Sequence, residues 1–218
     1  MATHRVTTEN APFADRNKNF LTFLKTFEIA STEGRFTMTI AAEETVLCMI
    51  DMQEKFAPAI NAFDECLAAS AKLMAAAKEM GVKVVVTEQN PLKLGSTVAP
   101  LPEYFTETTQ KISKLSFSCF GSEEFRKAIA ESGCKNLVIA GIESHICVLQ
   151  TALDAAERGF NVYLAADAVS SRKENDKLLA LDFLRSKGVN VMATESVIFM
   201  ILGTAESPFF RNVQKIIK

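Results

Sequence analysis

Leu137-Val138-Ile139-Ala140-Gly141-Ile142-Glu143-Ser144-His145-Ile146-Cys147-Val148-Leu149-Gln150-Thr151 sets how the rest of the 218-residue chain is read. Its first part is short, wholly apolar and bounded by Gly, the pattern of a strand buried on both faces. Its second part is helical. Ile146, Leu149, Gln150, Leu153 and Ala156 fall three or four apart, and Ser144 is placed to accept hydrogen bonds from first-turn amides. Cys147 then sits in the first helical turn, where unpaired N–H groups and the positive end of the helix dipole stabilise a thiolate over a thiol and lower its pKa. A buried cysteine also simply fills space in many proteins. The other residues have to decide between nucleophile and filler.

Working outward, the same grammar recurs. Gly81, Gly133, Gly159 and Gly188 each precede a β-branched or apolar run, as in Gly81-Val82-Lys83-Val84-Val85-Val86 and Gly159-Phe160-Asn161-Val162-Tyr163-Leu164. A Gly that ends a helix and is followed at once by a strand marks a helix-to-strand passage. Four such passages give alternating αβ units, hence parallel strands with right-handed crossovers and a doubly wound sheet. Strands are expected at Val46–Ile50, 82–86, Gln110–Ser113, 137–140, Asn161–Ala166 and Asn190–Ala193, with helices over 61–80, from Ser122, and over 174–187. The terminal stretch places Phe209, Val213 and Ile216 on one stripe, a docking helix or a subunit contact.

Composition bounds the function. Hydrophobic content of 48% excludes general disorder, and a net charge of −2 gives no electrostatic reason to expect nucleic acid or an anionic membrane as the main partner. No apolar run reaches membrane-spanning length. Five cysteines, odd in number and without a CxxC pair, read as reduced thiols in an intracellular, cytoplasmic protein. Residues 1–40 read as an N-terminal arm and 41–218 as the main domain. The cluster Phe20, Leu21, Phe23, Leu24 and Phe27 suits a short amphipathic helix. A mitochondrial transit segment is the alternative, weakened by Glu9, Asp15, Glu28 and Glu33. The long loop 87–109 reads either as functional or as a surface excursion.

In an open parallel sheet, ligands bind beyond the carboxyl ends of the strands where strand order reverses. Asp51, Lys114 and Cys147 each follow a strand and belong on that edge. Their types are complementary: a carboxylate can take the thiol's proton, and an ammonium favours both anions. Backbone amides of the 143–147 turn are placed to hold an oxyanion. Taken singly, Asp51 also suits a turn cap, Lys114 a solvated lysine, and His145 a helix-start surface residue. Asp167 reads as ordering the turn after its strand.

Ile50-Asp51-Met52-Gln53, Lys114-Leu115-Ser116-Phe117-Ser118-Cys119-Phe120 and Gly141-Ile142-Glu143-Ser144-His145-Ile146-Cys147-Val148 resemble the three motifs of isochorismatase-like cysteine hydrolases, over residues 45–203. The resemblance implies a three-layer, Rossmann-like α/β fold with a six-stranded parallel sheet and helices on both faces. It implies Cys147 as nucleophile, Asp51 as general acid and base, and Lys114 as electrostatic partner. It further implies a cis Ile142–Glu143 peptide, with the amides of Glu143 and Cys147 as oxyanion hole. Gln53, Phe56, Gln89, Phe117, Phe120 and His145 are expected to line the substrate pocket.

Departures narrow the activity. True isochorismatases lack the cysteine, so Cys147 points to acyl chemistry. Nicotinamidases add a metal site built with Asp and several His; with no His between His4 and His145, no metal and no cofactor are expected here. The loop Thr87-Glu88-Gln89-Asn90-Pro91 resembles the sub-branch of isochorismatase domain-containing proteins. The expected function is therefore hydrolysis of a carbon–nitrogen bond in a small amide or related acyl substrate, through a thioester, by a homo-oligomer. Two alternatives stand beside it: a ribonuclease, from a label carried in the sub-branch, and a non-catalytic scaffold that keeps the fold.

Overall fold

A computed structural model describes residues 40–218. The expected helix around residues 20–27 and the transit-segment alternative lie outside the described residues. Six parallel strands form one sheet: β1 (Thr45–Ile50), β2 (Lys83–Gln89), β3 (Gln110–Lys114), β4 (Asn136–Ile142), β5 (Asn161–Ser170) and β6 (Asn190–Met192), in the order β3-β2-β1-β4-β5-β6. The connections step one way from β1 to β3 and the other way from β4 to β6. The reversal, and with it the crevice where such sheets bind ligands, falls between β1 and β4.

Alternate side chains of the central strands feed two cores. Leu47, Met49, Val84, Val86 and Val138 pack against α1 (Phe63–Met80), α5 (Thr194–Leu202) and α6 (Phe210–Ile217). Val46, Cys48, Ile50, Val85 and Leu137 pack against α2 (Glu123–Ser132), α3 (Leu149–Glu157) and α4 (Glu174–Ser186). The result is three layers, with β1 and β4 buried along their whole length. Among the described residues no helix is long and apolar enough to cross a membrane.

Several boundaries differ from the sequence reading. β2 continues to Gln89, so the following loop starts at Asn90; it contains one helical turn, Pro91–Leu94, and a 3-10 turn, Leu101–Tyr104. β5 continues to Ser170 because its register against β4 shifts between Ile139 and Gly141, inserting extra residues into the strand. Asp167 therefore lies within β5, and its Oδ1 accepts from the N–H (2.7 Å) and hydroxyl (2.8 Å) of Thr194, capping α5. In the terminal helix the inward stripe is Phe210, Val213 and Ile217, one residue round from the expected set beside Val213, while Phe209 is exposed. Asn212 Nδ2 to Glu79 Oε1 (2.8 Å) and Lys72 Nζ to the Ile217 carbonyl (3.1 Å) fasten α6 to α1.

Gly141 makes the switch point possible. Its φ is +113°, and a Cβ there would lie 2.0 Å from the carbonyl oxygen of Ile50. Only a residue without a side chain lets β1 and β4 approach this closely where the polar groups emerge.

Candidate active site

Asp51 directly follows β1, in the left-handed region at φ +51°, and is wholly buried. Its N–H donates to the Thr87 carbonyl at 3.0 Å. Its Oδ1 accepts from the Thr87 hydroxyl at 2.7 Å, and its Oδ2 accepts from Lys114 Nζ at 2.6 Å. A buried carboxylate survives when charge-assisted bonds satisfy it, and both oxygens here have a donor.

Lys114 is the last residue of β3 rather than the one after it, and its side chain is buried, not solvated. Besides Asp51, Nζ donates to Gln89 Oε1 (2.9 Å) and to the carbonyls of Ser116 and Phe117 (both 3.2 Å). Four acceptors around three protons hold the ammonium in one place. Burial pulls its pKa down, but the Asp51 charge, the Cys119 and Cys147 sulfurs and the Asp51 hydrogen bond outweigh that, and the net shift is upward. Lys114 stays charged.

The turn carrying Cys147 is not the first turn of an ordinary α-helix. Ser144–Val148 forms a π-helical turn ahead of α3, in which Ile146 and Val148 both donate to the Glu143 carbonyl (3.1 and 3.2 Å). Ser144 does not cap it: its Oγ is the one buried side-chain N or O atom among the described residues without a partner. The wider turn moves the buried stripe of α3 to Thr151, Ala152 and Ala155. The Ile142–Glu143 peptide is cis.

The expected lowering of the Cys147 pKa is overturned. Burial, then the neighbouring Asp51 charge, push the thiol up to about 12, with Lys114 opposing. Asp51 acts on it also as a hydrogen-bond acceptor. Burial and the neighbouring carboxylate together disfavour the thiolate more than a helix terminus favours it. The resting group is a thiol beside a carboxylate that can accept its proton.

The other residues singled out in the sequence divide into two groups. Gln89 and Phe117 touch Lys114 through their oxygens, and Phe117 is 55% exposed. His145 Nδ1 meets Ser171 Oγ at 2.9 Å and its Nε2 lies 4.0 Å from Asp176. Phe56 is half-buried against the core. Two placements correct the expected pocket. Gln53 has no free amide group, because Nε2 donates to the carbonyls of Gln89 (3.1 Å) and Gly95 (2.7 Å) and Oε1 accepts from the Gln89 N–H (2.7 Å). The Phe120 ring lies in the core between Phe125 and Phe160, under the Arg158 guanidinium, where its hydrophobic area is best spent.

Thr87 and Cys119 were missed. Thr87 is the polar residue that ends the apolar run Val84-Val85-Val86, the same signal that marked Asp51 after β1. Cys119 lies behind it, Sγ 3.9 Å from Thr87 Oγ1, and its N–H donates to Thr151 Oγ1 at 3.0 Å. Glu143 belongs to the frame as well as the turn: its buried Oε2 accepts from the N–H (3.2 Å) and Nε (2.9 Å) of Arg172, tying the turn to the loop after β5. Among the described residues no group of three His, Cys, Asp or Glu side chains is placed to hold a metal ion.

The isochorismatase domain model matches residues 45–196. The chain is 38% identical over 178 residues to isochorismatase domain-containing protein 2 of Xenopus laevis, covering 82% of this chain and 85% of that one. It superposes on the structure of MAR1 ribonuclease from Caenorhabditis elegans with a TM-score of 0.78 at 36% identity, covering 82% of this chain and 92% of that one. It is also similar to pyrazinamidase of Pyrococcus horikoshii in complex with zinc, with a TM-score of 0.60 at 27% identity over 69% of this chain and 99% of that one.

Proposed function

This chain belongs to the isochorismatase domain family, and we propose that it is a cysteine hydrolase cleaving a carbon–nitrogen bond in a small amide or related acyl compound. The observation that carries this reading is the shared carboxylate: Asp51 is fixed by Lys114 Nζ at 2.6 Å and lies beside the Cys147 thiol. Similarity to a pyrazinamidase, an amide hydrolase by name, supports the same class.

In this mechanism Asp51 takes the Cys147 proton as the sulfur attacks the carbonyl, forming the S–C bond. The amides of Glu143 and Cys147 stabilise the oxyanion, and Lys114 holds Asp51 in place. Asp51 then gives its proton to the leaving amine as the C–N bond breaks. A water attacks the thioester, its proton passing to Asp51, and the C–S bond breaks with return of that proton to sulfur. The raised thiol pKa suits proton transfer in step with attack rather than a standing thiolate.

A screen of small primary and secondary amides for ammonia or amine release tests the reading. Release is expected from wild type and is expected to fall by about 10²-fold or more, as when a general acid–base group is removed, in Asp51→Asn and Cys147→Ala. Turnover retained in Cys147→Ala would overturn it. A ribonuclease reading is favoured by the names of neighbours such as the C. elegans structure, and by no feature of the site. RNA cleavage that is abolished in Cys147→Ala, without any amide turnover, would establish it instead.

The partner on this reading is a second copy of the chain. Helix α4 buries Ala180, Leu181 and Leu184 yet exposes Leu178, Leu179 and Phe183, a second apolar stripe on one helix. Light scattering is expected to give an oligomer that Leu179→Glu dissociates. Five unpaired thiols suit a reducing, intracellular compartment.

A further inference from the structure

Thr87 holds Asp51 at two points. Its carbonyl accepts the Asp51 N–H at 3.0 Å, and its hydroxyl reaches Asp51 Oδ1 at 2.7 Å. The first contact secures a residue whose backbone sits at φ +51°, in the left-handed region that few non-glycine residues enter and that Asp tolerates better than most. The second fixes the plane of the carboxylate. Lys114 alone positions Oδ2, but rotation of a terminal carboxylate is soft, and one anchor leaves the second oxygen free to swing.

The direction of the hydroxyl proton follows from its neighbours. An ionised carboxylate only accepts, so the single Thr87 proton goes to Oδ1. The Thr87 oxygen can then accept from Cys119, whose sulfur is 3.9 Å away. Cys119 is itself held through its N–H by Thr151 of α3, at 3.0 Å. A chain of contacts therefore runs Thr151, Cys119, Thr87, Asp51, all buried, on the side of the carboxylate opposite Lys114's oxygen. The charged and titratable groups around Asp51 are Lys114 from β3, Cys147 from the π turn and, behind Thr87, Cys119.

We propose that Thr87 is a positioning residue of this site: its hydroxyl, backed by Cys119, sets the orientation in which Asp51 accepts the proton of Cys147. The inference rests on the reading of Asp51 as proton acceptor. It makes the end of β2 a working part of the site.

The test is alkylation of the intact protein by iodoacetamide between pH 5.5 and 9, with the Cys147 and Cys134 peptides quantified by mass spectrometry. Wild type, Thr87→Val and Thr87→Ser are compared, with Thr87→Ala as a second variant lacking the hydroxyl. Loss of the donor that holds Oδ1 lets the carboxylate swing away from the thiol and slows Cys147 labelling across this range by about tenfold, and Thr87→Ser restores the rate because it keeps the hydroxyl. Cys134 labelling stays unchanged. Superimposable Cys147 profiles in wild type and the valine or alanine protein overturn the proposal while leaving Cys147 as nucleophile. Wild-type Cys147 reacting no faster than Cys134 overturns the reading of Cys147 itself.

Discussion

Asp51 Oδ2 and Lys114 Nζ lie 2.6 Å apart with both side chains fully excluded from solvent, although 63 residues separate them in the chain. The pair joins the first and third strands across β2 and fixes the charge balance of the site. Removing one member strands the other in a low-dielectric interior, which is the expensive way to break a buried pair.

Lys114→Met is accordingly expected to lower stability by about 3–5 kcal/mol in urea unfolding, and Asp51→Asn combined with Lys114→Met to recover at least half of that. A single-variant loss below about 1 kcal/mol would mean that the pair is more solvated than its burial indicates.

Gly141→Ala tests the close approach of β1 and β4. A Cβ 2.0 Å from the Ile50 carbonyl, at φ +113°, has no room to form without moving a central strand. The variant is expected to lose more than about 4 kcal/mol or to accumulate as insoluble protein. Stability within about 1 kcal/mol of wild type would contradict the packing at the switch point.

Ser144→Ala tests the unpartnered hydroxyl. An unsatisfied buried polar atom costs about 1–3 kcal/mol, so the alanine protein is expected to be more stable by about 1 kcal/mol in the same assay. A loss of stability would reveal a hydrogen-bond partner for Oγ.

Alkaline titration tests the buried thiols. Cys66 is pushed up to about 12 and Cys119 to about 11, chiefly by burial, and Cys147 to about 12 by burial and Asp51. An unfolded thiol ionises near about 8.5. Each of these groups has a folded pKa above its unfolded one, so its contribution is complete below about pH 8.5 and is lost as pH rises toward the folded value. Unfolding free energy is expected to fall through the window from about pH 8.5 to 11, by up to about 1.4 kcal/mol per pH unit for each thiol. Cys66→Ala, remote from the site, should make that fall shallower; an unchanged slope would show that the Cys66 thiol does not contribute.

Two kinds of feature in this chain differ in how far the sequence reveals them. Apolar runs preceded by Gly carried the alternation of helices and strands, because a Gly that ends a helix and a strand buried on both faces each leave a plain mark in the sequence. Asp51, Lys114 and Cys147 were legible as polar residues at strand ends. What stayed hidden depended on side-chain direction. Gln53 and Phe120 sit in the right motifs, yet one is consumed by the loop after β2 and the other by the core around Phe125. The rise of the Cys147 pKa was equally illegible: a helix start argues for a low value, and the depth of burial together with the position of the Asp51 carboxylate reverses it. Thr87 carried a visible signal, a hydroxyl ending a run of valines, but not its partner.

Covalent trapping bears most directly on the account that Cys147 attacks while Asp51 receives its proton. An electrophilic amide analogue incubated with wild type and Asp51→Asn at pH 7, followed by peptide mass spectrometry, is expected to modify Cys147 well ahead of Cys119 and Cys134 in wild type. In Asp51→Asn the Cys147 adduct is expected to form at least about tenfold more slowly. Modification of Cys119 or Cys134 at the rate of Cys147, or a Cys147 adduct that forms equally fast without the carboxylate, would contradict the account.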